Sequence, residues 1–204
     1  MLGFGRFDVA QIFTTPDAWL GGFYEAALEF EHRDEERVVA ALTALWSHPG
    51  LLGCFLDRTR EPAQQARIPF ASSLLEHGHL YGVAHLSDER SVAAGTIVTR
   101  EDDGSDWVKL YLPMGSLGRI FPVEGFPFDD RDHEAWRVEV ENWLADVAVD
   151  IYREVPFDLA LIGFETRGEH HAAEVREQGI PPTRLASLLV PNKGHLTRME
   201  RTER

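Results

Sequence analysis

Three strand-like runs fill residues 79 to 112: "HLYGVAHL", "SVAAGTIVTR" and "SDWVKLYL", parted only by "SDER" and "EDDG". Neither gap is long enough for the helical crossover that parallel neighbours require, so the chain must turn straight back on itself. Asp103-Gly104 is a hairpin signal of the usual kind. An antiparallel three-strand meander is therefore the centre around which the remaining residues have to pack.

The flanking segments are patterned as well. In "FYEAALEFE", residues 23 to 31, Tyr24, Ala26, Leu28 and Phe30 alternate with Glu25, Ala27, Glu29 and Glu31. Period two reads as a half-buried strand with an acidic outer face. "DEERVVAALTALWSHPG" follows as a helix: Asp34 caps it, Glu35 and Glu36 suit the positive end of its dipole, and Pro49 with Gly50 stops it. "LLGCFLD" is a short buried strand, and residues 58 to 75 are a loop with a helical turn. "PMGSLGRIFPVEGFPFDDRD" is a long connection to the longest helix, expected over 132 to 153. There Trp136, Val140, Trp143, Leu144, Val147 and Ile151 recur at three- and four-residue steps. "FDLALIGFE" is apolar almost throughout, as in a central strand covered on both sides. "GEHHAAEVREQG" is a short helix closed by Gly179, and "RLASLLVP" is a last strand. A single α+β domain over 1–204 results, fraying from about residue 198. Its sheet is mixed and mostly antiparallel, with the meander at its centre and the two main helices packed on one face.

Charge narrows the function classes. Thirty-four acidic residues against 20 basic ones give a formal net charge of −14. Such a chain repels a phosphate backbone, so nucleic acid is an unsuitable partner, whereas a basic protein or a cation would be attracted. Cys54 is the only cysteine, which excludes an internal disulfide and a cysteine zinc site. The first 13 residues do not read as a signal peptide, and no uncharged apolar run is long enough for a membrane span. A soluble, cytoplasmic protein is expected.

The residues with the most chemistry are the histidines of "EHGHLYGVAH". On a strand His77, His79 and His85 share one face, but His79 and His85 lie roughly 20 Å apart at ~3.3 Å per residue, so at most His77 and His79 act together. A metal there needs a third ligand, for which His170 or Glu165 is available. Two half-exposed histidines at the mouth of a strand are the simpler reading. The carboxylates of "FDDRDHEAW" are helix-start residues before they are a cation site, and those of "EDDGSDW" belong to a turn. No G-x-S-x-G, P-loop, dinucleotide fingerprint or H-E-x-x-H occurs. Lys109 is expected to face solvent. Trp107 and Tyr111 share its face, to be covered by a long helix, a second subunit or a partner.

Two functions follow as expectations. The first is a protein-interaction module of inhibitor or immunity type acting on a basic partner, with Glu25, Glu29, Glu31, Trp107 and Tyr111 as contact residues and no cofactor. The alternative is a hydrolase dependent on one divalent transition metal at His77 and His79. A homo-oligomer whose acidic surface serves only solubility is a third.

Overall fold

The computed structural model describes residues 11–68, 78–87, 89–102, 104–123, 131–166 and 169–202. Eight strands form one sheet: β1 (Phe23–Phe30), β2 (Leu51–Phe55), β3 (His79–Ser87), β4 (Arg90–Arg100), β5 (Asp106–Pro113), β6 (Leu159–Phe164), β7 (Ser187–Asn192) and β8 (His195–Met199). Their order is β2-β3-β4-β5-β1-β6-β7-β8, and every neighbouring pair is antiparallel. The α+β class and the meander of β3, β4 and β5 are thus as the sequence indicates, while the mixed element is absent among the described strands. No described helix is long and apolar enough to cross a membrane.

Helices α1 (Glu35–Ser47) and α3 (Arg131–Glu154) lie on one face of the sheet, with the short α2 (Met114–Leu117) between β5 and α3 in sequence. Asp34 caps α1 by accepting from the Arg37 amide at 3.1 Å, satisfying one of the donors a helix start leaves open. Val38, Leu42 and Leu45 of α1, with Val140, Leu144, Val147 and Ile151 of α3, pack on Tyr24, Leu28 and Phe30 of β1. Each such side chain contributes about 1.5–3 kcal/mol by leaving water.

Trp46 of α1 packs directly on the sheet backbone. Its indole lies over Gly53 of β2 and Gly82 of β3, which are register partners, and donates to the Thr96 hydroxyl at 3.3 Å. A Cβ on either glycine would sit 2.3 Å from the indole Cζ3. Both positions are therefore restricted to glycine by contact. Gly53→Ala, whose Cβ would meet only the indole, should lower stability by about 1–3 kcal/mol in urea unfolding, the range for overpacked cores, and most of that loss should vanish in a Trp46→Leu background.

The opposite face is covered in two places, and this differs from the sequence reading. Helix α4 (Ala172–Gln178), closed by Gly179 at φ +85°, packs on Trp107, Leu159, Leu161 and Leu188. The segment from residue 11 to 20 forms a strap whose Phe13 buries against Phe55, Val83 and Ala93. The Glu61 carboxylate holds that strap, accepting from the amides of Ile12 at 3.0 Å, Phe13 at 3.2 Å and Thr14 at 2.8 Å, and from the Thr14 hydroxyl at 2.7 Å. Burial raises the pKa of Glu61, yet these hydrogen bonds outweigh it and hold the group below the ordinary carboxylate value. Because the folded-state value is the lower one, the unfolded chain takes up the proton first. The contribution is present above the ordinary pKa of 4.5 and is lost as pH falls below it. Amide exchange at Ile12, Phe13 and Thr14, corrected for intrinsic rate, should accelerate over that window, and Glu61→Gln should show the fast rate throughout.

Strand β8 continues from β7 through a two-residue turn in which Lys193 and Gly194 adopt φ +49° and +84°, the left-handed conformation such turns need. The sequence reading stops the sheet at β7.

Candidate functional site

The acids of β1 do not form an outer face. Glu25 and Glu29 are 4% and 2% exposed, and the expectation of a solvated acidic strand is corrected by the cover that α4 and its approach provide. Lys109, expected in solvent, is 6% exposed on the same side of the neighbouring β5. Unpaired burial of such groups would be prohibitive, and each has a partner. Lys109 Nζ lies 3.5 Å from Glu25 Oε1, which also accepts from the Thr166 hydroxyl at 3.1 Å. Glu29 Oε2 accepts from the Ala172 amide at 2.6 Å, and Oε1 lies 3.3 Å from His171 Nδ1. Burial leads the causes acting on Glu29 and raises its pKa against the Ala172 amide and His171. Glu31 lies farther out and is gripped by Arg176 of α4, which holds its carboxyl below the usual range. The three carboxylates thus fasten the β6–α4 connection and α4 to the central strand.

Trp107 and Tyr111 are 5% and 4% exposed. Trp107 is covered by α4 and by the edge of His171, 5.6 Å between ring centroids, and not by a long helix. Tyr111 lies flat over Gly95 and 4.7 Å from the Phe23 ring, its hydroxyl 3.4 Å from His79 Nδ1. Burial raises the Tyr111 pKa, and partial desolvation followed by Arg58 lowers that of exposed His79.

Of the four metal-ligand candidates, His77 lies outside the described residues. His79 on β3 and Glu165 after β6 are separated by four strand spacings, ~19 Å at ~4.8 Å each, too far to share an ion. His170 precedes His171, which contacts Glu29 on β1, three spacings or ~14 Å from β3. Among the described residues no three of His, Cys, Asp and Glu meet as a metal site. His85 pairs with Ser91 at 2.8 Å, and Cys54 is buried, its thiol pushed up to about 11 by desolvation.

The carboxylates that do face water are elsewhere. Asp146, Asp150 and Glu154 are exposed at four-residue steps on α3, which places them on one face about 6 Å apart along the axis. Asp150 and Glu154 border a notch of about 210 Å³ between the ends of α1 and α3, lined also by Ala44, Ser47, His48, Ile151 and Arg153. His48 Nε2 lies 3.4 Å from Asp150, which Arg153 also contacts. Asp146 and Glu154 have no ion-pair partner among the described residues. The i, i+4, i+8 spacing of these acids is readable in the sequence, beside the apolar positions Val147 and Ile151. The roles of Lys109, Thr166 and His171 rest on strand order and carried no such signal.

No family model, curated protein or solved structure matches the chain.

The buried pair yields a sharp expectation. Lys109→Met alone leaves Glu25 buried opposite an apolar chain and should cost about 3–5 kcal/mol in urea unfolding. Adding Glu25→Leu should recover most of it. Single losses below ~1 kcal/mol would mean that water reaches the pair.

Proposed function

We propose that the protein is an interaction module of inhibitor or immunity type, binding a basic partner through the exposed carboxylates of α3 and the notch beside them. The observation that carries this reading is an asymmetry in how charge is used. Arginines are engaged within the chain: Arg33 and Arg100 flank Asp106, Arg90 holds Glu139, Arg176 holds Glu31, and Arg184 and Arg119 cap backbone carbonyls. On α3, Asp146 and Glu154 have no ion-pair partner among the described residues and Asp150 between them stays exposed beside His48 and Arg153, so a cationic surface would gain attraction and a faster encounter there. The notch is sized for one side chain, and a lysine or arginine entering it would meet Asp150 and Glu154, competing with Arg153 for Asp150. Glu25 and Glu29, being internal, have no part in this surface.

Zero-length carbodiimide coupling of the full chain in an extract of its own cells, read by mass spectrometry, tests it. The expected product is a basic protein joined through Asp146, Asp150 or Glu154. The variant Asp146→Asn, Asp150→Asn, Glu154→Gln, with unchanged melting, should lose it, and raising salt from about 0.15 to 0.5 M should weaken it by ~10-fold or more. An acidic or neutral product, coupling centred on other carboxylates, or no product would overturn the reading.

A further inference from the structure

A second concavity, of about 360 Å³, opens where the α3–β6 turn, α4 and β7 meet the start of α1. Its walls are apolar: Tyr152, Phe157, Val175, Ile180, Val190 and Pro191. Phe157 and Val175 are buried, and Tyr152 packs edge-on to Phe157 at 5.0 Å. The charged lining consists of Arg37, Arg176 and Asp158; Glu31 matches the charge of Arg176, which leaves Arg37 as the cation open to a ligand.

Both guanidiniums are held in place before any ligand arrives. Arg37 sits over the Phe30 ring at 5.0 Å and donates through Nη2 to the Pro156 carbonyl at 2.6 Å. That same nitrogen is 3.7 Å from Asp158, whose Oδ2 accepts the Glu31 amide at 3.0 Å. Nε and Nη1 of Arg37 have no partner among the described residues. Arg176 is fixed by Glu31 across two contacts. Pre-fixed arginine donors above an apolar wall recognise a group with an apolar body and a planar anionic head. The volume lies at the small end of ligand sites.

We infer that this cavity binds a small amphipathic carboxylate, the apolar body against Phe157, Val175 and Val190 and the carboxylate on Arg37. The proposal is independent of the α3 surface and stands or falls without it.

Hexanoate, hexylamine and 1-hexanol present one apolar body with three heads. Each is titrated into the full chain by ¹H–¹³C methyl NMR, following Val175, Ile180 and Val190. Hexanoate should saturate these signals below ~10 mM, and the amine and alcohol should bind at least ~10-fold more weakly. Arg37→Gln should weaken hexanoate ~10-fold or more without changing the alcohol, and Ile180→Trp, which fills the cavity, should block all three. Circular dichroism and melting confirm that both variants are folded. Equal binding of the three heads, hexanoate binding unchanged in Arg37→Gln, or no saturable shift at these methyls would each overturn the assignment.

Discussion

Strand β1 is buried on both faces, and the rest of the molecule is arranged around that constraint. It pairs with β5 on one side and β6 on the other, at the centre of the sheet. Tyr24, Ala26, Leu28 and Phe30 face the two long helices, where apolar contact suffices. The other side chains include two carboxylates, and a buried carboxylate must be matched atom for atom. Lys109, Thr166, the Ala172 amide and His171 meet that requirement, drawing in β5, the end of β6 and the start of α4. The polar strip thereby fixes where the apolar patch under α4 begins.

The same reasoning explains the division of labour between acids. Glu25 and Glu29 on the sheet serve folding, since each is enclosed with a donor. Glu141 on α3 belongs with them: it accepts from Tyr24 at 2.6 Å and Ser187 at 3.2 Å, and burial followed by the Glu141 charge drives the Tyr24 pKa far upward. Five, nine and thirteen residues farther along the same helix Asp146, Asp150 and Glu154 face solvent, Asp150 beside His48 and Arg153 and the other two with no ion-pair partner among the described residues.

Most elements were legible because their periodicities were uninterrupted. The meander, the two main helices, the doubly covered β6 and the short helix ending at Gly179 all carry patterns that local physics enforces. What the sequence left open was cover. A strand whose alternate residues are Glu or Lys reads as half solvated, and only the tertiary fold brings α4 and the strap over it. Both covering pieces are short, and the strap, though it carries Ile12, Phe13, Trp19 and Leu20, has no regular period, so neither announces its role. β8 escaped for a related reason: "HLTRM" is a half-buried edge strand that follows Pro191, and its Lys-Gly turn lacks the Asn-Gly or Asp-Gly signature. His79 and His85 lie on the strand their alternation indicates, but the third ligand a metal needs depends on strand order, which periodicity does not encode.

Carboxylate footprinting addresses the central claim most directly. The folded chain is labelled briefly with carbodiimide and glycine ethyl ester, and modification rates are read residue by residue. Asp146, Asp150 and Glu154 should react at rates near those of the unfolded chain, while Glu25, Glu29 and Glu141 should be protected by orders of magnitude. Labelling of Glu25 and Glu29 as fast as the α3 carboxylates would contradict the account, returning β1 to the surface and removing the interaction that orders the sheet's second face.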